Sequence, residues 1–172
     1  IVHAFGGLVV CDSGNHCLRL ITKDRVVTLS GSGTIGRTDG AASLAAFHNP
    51  VAMVYCSSDN SLYVADKGNH LVRLVDHNGT VHTFLGTGEP GTANGHAASI
   101  ACLHSPCGIA YHGGELYVSN AGSYTILKVF MDTLMCMNLA GSAGSPGYVD
   151  ATSTEARFQA PAGMMCDSDG LI

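Results

Sequence analysis

The chain has 172 residues, 46% of them hydrophobic and 12% charged, which sets it among globular rather than disordered sequences. A formal net charge of −5 with 8 Lys plus Arg, and no basic cluster, argues against a nucleic-acid surface. Apolar runs are far shorter than a bilayer-crossing helix needs, and no targeting or lipidation motif is visible, so no membrane attachment is expected.

The first residues, IVHAFGG at 1–7, read as a strand in progress. The next stretch, LVVCDSGNH at 8–16, returns as LYVADKGNH at 62–70 and LYVSNAGSY at 116–124. Leu8, Leu62 and Leu116 thus recur at a spacing of about 54 residues, and a further copy begins at Leu171, which signals a modular array. Each copy holds four short apolar runs broken by Gly, Asn, Asp and Ser. The first follows a proline, as in PVAMVYC from Pro50, PCGIAYH from Pro106 and PAGMMCD from Pro161. The second is VVCD, YVAD or YVSN. The third is HCLRLIT, HLVRLVD or YTILKVF, and the fourth is VVTLSG, VHTFLG or CMNLAG. Runs this short, rich in Val, Ile, Leu and Tyr, predict strands. Gly113-Gly114 and the segment 57–61 join first and second runs. The G-N-H or G-S-Y segment joins second and third. Asn78-Gly79 predicts a type I′ turn between the third and fourth runs of the second copy.

Long links at 31–50, 86–106 and 141–161 join one copy to the next. Each has a Gly-rich head without the G-K-[ST] of a phosphate loop, then Asp39, Asn94 or Asp150, expected as N-caps of one or two helical turns. Phe47, Leu103 and Phe158 then share one position, where they are expected to plug the gap between units. A four-stranded unit at this period predicts an all-β fold, a β-propeller built of four-stranded antiparallel blades. The expected blades are 1–49, 50–105 and 106–160, with the start of a fourth at 161–172. Three blades do not close a ring, so the chain reads as a piece of a longer protein.

The seven cysteines have no C-x-x-C spacing, and the other copies replace several of them with small apolar or neutral residues. Cys11 answers to Ala65 and Ser119, and Cys17 to Leu71 and Thr125. That pattern predicts buried reduced thiols and points to an intracellular, cytoplasmic setting. Asn78-Gly79-Thr80 also fits an N-glycosylation sequon, though turn chemistry accounts for it.

The segments DSGNHCLRLI at 12–21 and ADKGNHLVRLV at 65–75, each ahead of a V-x-T-[LF]-x-G strand, resemble the NHL-repeat family. The proline-led strand, with Gly108-Ile109-Ala110, fits the same pattern. The third copy departs from it, with Asn120 for the Asp, Ser123-Tyr124 for Asn-His, and Lys128 one place off the Arg19 and Arg73 position. The resemblance implies a six-bladed propeller, half of it present here, and leaves function open, because propellers host unrelated activities.

Asp12, Asn15 and His16 recur as Asp66, Asn69 and His70. Asp and His suit metal or acid–base chemistry. Repetition in successive units and the glycine beside them favour a role in holding the turn, which the resemblance also implies. His48 and His104 share one position before the proline, at the expected mouth of the channel, where Gln159 stands in the third copy. Cys102, His104 and Cys107 have ligand types without a zinc pattern. No metal ligand set, cofactor or catalytic residue is assigned. The expected function is a non-catalytic protein-interaction or scaffold module of a larger NHL-repeat protein. Its binding residues would be His48 and His104 on the channel rim and Arg37, Glu89 and Tyr148 on the loop face. Its partners would be a protein or peptide and the remaining blades of the same longer chain. The alternative is part of a metal-dependent propeller lyase or hydrolase with its site in the central channel.

Overall fold

The computed structural model describes residues 1–166. Sheet formation follows the apolar runs. The first sheet holds β1 (Val2–Ala4), β2 (Gly7–Asp12), β3 (Cys17–Ile21) and β4 (Val26–Ser30). The second holds β5 (Pro50–Cys56), β6 (Ser61–Asp66), β7 (Leu71–Val75) and β8 (Val81–Leu85). The link after it contributes the two-residue β9 (Gly95–His96). The third sheet holds β10 (Pro106–His112), β11 (Glu115–Asn120), β12 (Thr125–Phe130) and β13 (Met135–Ala140), with β9 on its outer edge. All pairings within a sheet are antiparallel and sequential apart from the β13–β9 contact.

Alternation along each strand gives every sheet two apolar faces, so neighbours must stack. Leu62, Val64, Val75 and Val81 of the second sheet pack on Val9 and Leu18 of the first, with Phe47 of the link among them. Leu116, Val118, Leu127 and Val129 of the third pack on Tyr63, Val72 and Leu85 of the second, with Leu103 of the next link. The inner strand β5 touches both β1 and β10. The sheets therefore stand side by side as three blades of a partial β-propeller.

The links do more than connect. Gly40 pairs with Val81, and β9 pairs with Met135 and Cys136, so the first and second links each lie along the outer strand of the following blade before turning inward. That covers an edge otherwise open to pairing with another chain.

Three local expectations are corrected. Asn78-Gly79 is not a type I′ turn. Gly79 has φ +81° but Asn78 has a negative φ, because Asp76 Oδ1 accepts from the N–H groups of Asn78 and Thr80 and holds an ordinary turn closed by Gly79 N–H on Asp76 O. The paired positive φ values occur instead at Gly113-Gly114 and at Phe5-Gly6. Asp39 and Asp150 cap no helix. The links make a single turn at 41–45 and at 96–100, and a 3-10 turn at Ser153–Glu155 whose N-cap is Thr152. The segment 161–166 is assigned no strand, and the rest of the expected fourth-blade start lies outside the described residues.

Candidate interaction surface

The repeated triplet builds one local structure three times. Ser13–Asn15, Lys67–Asn69 and Ala121–Ser123 each form a 3-10 turn, and the next residue is left-handed: His16 (φ 53°), His70 (φ 57°) and Tyr124 (φ 63°). Non-glycine residues are uncommon there, and histidine is among the enriched ones. This conformation lets each imidazole reach the lead-in to the next blade. His16 Nδ1 accepts the Asn49 N–H at 3.1 Å, and His70 Nδ1 accepts the Ser105 N–H at 3.0 Å. The neutral rings therefore carry their proton on Nε2.

Each of these histidines meets a second one edge-on. His16 and His48 have ring centroids 5.8 Å apart, and His70 and His104 have theirs 5.5 Å apart. His48 lies over Gly68, where a Cβ would sit 2.4 Å from the ring, and His104 lies over Gly122 in the same way. Burial pushes the His70 pKa below its ordinary 6.5, and the neighbouring His104 pushes it further.

A charge cluster fastens the link to the blade. Arg73 is fully buried and pairs with Asp66 at 3.0 Å and with Asp39 of the preceding link. Its guanidinium also donates to the carbonyls of Ala46 at 3.1 Å and Thr38 at 3.2 Å, and it lies 5.4 Å from the centre of the Phe47 ring. Asp66 accepts from Asn69 at 2.7 Å and from the His48 N–H at 2.8 Å. Burial pushes the Asp66 carboxyl up, and these bonds with Arg73 pull it back. Asn69 also donates to Gly36 O at 2.6 Å. Asp39 in turn accepts the Thr83 N–H at 2.9 Å. One arginine thus gathers the signature turn, the link and, through Asp39, the outer strand.

Blade 1 shows the same residues loosely held. Asn15 reaches both Asp12 oxygens at 3.0 Å, while Arg19 lies 3.9 Å from Asp12. Blade 3 dispenses with the charges. Asn120 takes the His104 N–H at 2.6 Å, and buried Leu127 stands at the arginine position. Lys128 faces the other side of the sheet, paired with Glu115 at 2.6 Å.

The remaining expected surface residues lie on the links. Arg37 and Glu89, from successive links, face each other at 3.7 Å with both side chains exposed. Tyr148 is 94% exposed on the third link, apart from that pair. His48 and His104 belong to separate histidine pairs. Cys102 contacts Thr87 rather than a ligand set, and among the described residues no three His, Cys, Asp or Glu side chains gather as a metal site would need. Cys11, Cys17, Cys56, Cys102, Cys107 and Cys136 are free thiols. Burial raises Cys11 and Cys136 to about 12, which keeps them unreactive.

Reasoning from residues alone missed the Arg73–Asp39 anchor. Its trace is present: Asp39 precedes a blade with arginine, whereas Asn94 precedes a blade with leucine.

No family model matches the chain. Among curated proteins, NHL repeat-containing protein 2 of Homo sapiens is 27% identical over 140 residues, which cover 74% of this chain and 19% of that protein. The Gallus gallus counterpart is 28% identical over 138 residues. The chain is thus similar to NHL-repeat proteins over most of its length. The chain is also similar to Arabidopsis thaliana protein SUPPRESSOR OF QUENCHING 1, chloroplastic, at 28% over 149 residues, covering 84% of this chain and 14% of that one. The chain thus spans less than a fifth of the length of these relatives. Its fold matches a Bacteroides thetaiotaomicron protein of unknown function with a TM-score of 0.73 at 17% identity, over 88% of this chain and 37% of that one. An auxiliary nutrient binding protein from the same organism matches with a TM-score of 0.69 at 16% identity, over 91% and 39%.

Proposed function

We propose that this NHL-repeat chain is a non-catalytic interaction module that binds a protein or peptide on the face carrying the links and the signature turns. The observation that carries this reading is the Arg73 cluster. It ties the first link to the blade through buried charge, leaving Arg37 of that link exposed on a rigid support beside Glu89 of the second link. Rigid loops on a sheet scaffold are where recognition residues concentrate. A binding role also agrees with the description of one fold neighbour as a nutrient binding protein. The net charge of −5 favours a basic partner.

Selection of displayed random peptides on the purified chain tests this. Enriched peptides rich in Lys and Arg that no longer bind an Arg37→Ala, Glu89→Ala, Tyr148→Ala triple variant of unchanged melting temperature are the expected result. Peptides that bind the triple variant as well as the parent chain would count against this face.

A further inference from the structure

We propose that Asn94 is a site of spontaneous covalent modification, at which the backbone nitrogen of Gly95 displaces the side-chain amide and turns the residue into aspartate or isoaspartate. The inference is independent of the binding face proposed above.

The chain holds two Asn-Gly pairs, Asn78-Gly79 and Asn94-Gly95. Glycine is the successor that favours this chemistry, because no Cβ shields its nitrogen and its backbone turns freely toward the neighbouring side chain. The two pairs are held differently. At the first, Asp76 Oδ1 accepts the N–H groups of Asn78 and Thr80, both at 2.8 Å, and Asp76 O accepts the Gly79 N–H at 2.9 Å. Gly79 is buried against Leu29 of blade 1, and its carbonyl takes the Ser30 hydroxyl at 2.7 Å. The attacking nitrogen and the peptide on either side of it are thus fixed.

At the second, Asn94 is exposed and Gly95 half-buried. Gly95 belongs to the two-residue β9 on the outer edge of blade 3, where it pairs with Cys136. The side chain over it is that of Ile100, itself 55% exposed. The first link carries Asp39 at this place, fixed by Arg73 and by the Thr83 N–H. Blade 3 presents Leu127 and Asn138 at those positions, so Asn94 lacks the ion pair that fixes Asp39. The link is held on both sides, by Cys102 N–H on Ala93 O at 2.9 Å and by Ala97 N–H on Leu134 O at 2.8 Å, which confines opening to Asn94–His96. A strand this short at a sheet edge opens locally more often than a turn pinned between blades.

When β9 opens, the Gly95 nitrogen gives its proton to solvent and bonds to Asn94 Cγ. The Cγ–Nδ2 bond breaks, and ammonia leaves with a proton from solvent. Water then opens the cyclic imide, and nothing is oxidised or reduced. Cleavage at Cγ leaves aspartate, the residue that the other two links carry as Asp39 and Asp150. Cleavage at the backbone carbonyl leaves isoaspartate, with the chain running through Cγ and lengthened by a methylene. That insertion breaks the register of Gly95 and His96 against Cys136 and Met135, and so uncovers the edge of β13.

Peptide mapping by mass spectrometry tests this on the folded 172-residue chain held at mildly alkaline pH, with isoaspartyl methyltransferase and labelled S-adenosylmethionine reporting the iso form. Aspartate and isoaspartate should accumulate at Asn94 about tenfold or more faster than at Asn78, a ratio that one or two net hydrogen bonds against local opening supply. In chain unfolded by urea the two sites should react at similar rates, which assigns the difference to the fold. Asp76→Ala should raise the Asn78 rate toward that of Asn94. In the acidic, isoaspartate-bearing fraction resolved by ion exchange, amide exchange at Ala97 and Cys136 should be faster than in the parent. Equal rates at the two sites of the folded chain, or faster reaction at Asn78, would overturn the inference. So would an Asn94 that stays intact in the folded chain while it reacts in urea.

Discussion

Arg73 illustrates how one side chain acquires a structural duty that its neighbours in sequence do not reveal. A buried guanidinium is costly unless it is paired and hydrogen-bonded; Asp66, Asp39 and three link carbonyls meet most of that need for Arg73, whose Nε has no hydrogen-bond partner. Blade 3 shows the uncharged solution, with Leu127, Asn120 and Asn94 at the matching positions. Arg73→Leu alone is expected to lower unfolding free energy by about 3–5 kcal/mol, because it strands the buried Asp66 carboxylate. Adding Asp39→Asn and Asp66→Asn should recover most of that loss in urea titrations. A single variant as stable as the parent would show that the anchor contributes nothing net. The repeated Asp-Asn-His residues were legible in the sequence as a turn signature. Their reach into the next blade was not, because an imidazole accepting a backbone N–H from residues that are distant in the chain leaves no local pattern.

At the level of elements, the strands follow from short β-branched runs between turn residues, and their order needs nothing beyond sequential pairing. The turns are less predictable. Asn78-Gly79 suggests a primed turn, yet the Asp76 side chain selects another. Gly79 serves a second purpose: a Cβ there would lie 2.3 Å from Leu29 O of blade 1, and Ser30 Oγ donates to Gly79 O at 2.7 Å. Gly6 has a similar φ, +79°, with nothing within 4 Å. Both glycine-to-alanine changes carry the cost of a left-handed alanine. Gly79→Ala is expected to cost about 1–3 kcal/mol beyond Gly6→Ala, the usual penalty for overpacking. Equal losses in thermal unfolding would mean that the blades are looser at this contact.

For the whole molecule, the junction between the second and third blades depends on a neutral histidine. His70 accepts the Ser105 N–H only while its Nδ1 is unprotonated, and His48, His104 and Glu89 are the ionisable groups that bear on it. Its folded pKa lies below 6.5, so as pH falls the unfolded chain takes up this proton first. The stability from the neutral ring is complete above 6.5 and is lost downward through the lower folded value. Melting temperature should therefore drop as pH falls below 6.5, and His70→Asn, whose amide oxygen accepts the same N–H, should flatten that drop. A parent chain whose melting temperature stays constant across this interval would refute the linkage. The sequence by itself determined the strands, their four-fold grouping and the stacking of blades, because period and apolar alternation are local properties written into every copy. Only the tertiary structure decided which link meets which blade and where the charges are buried. Those outcomes depend on contacts between residues of different repeats, and the pairing of Asp39 with Arg73 becomes visible only when the chain brings them together.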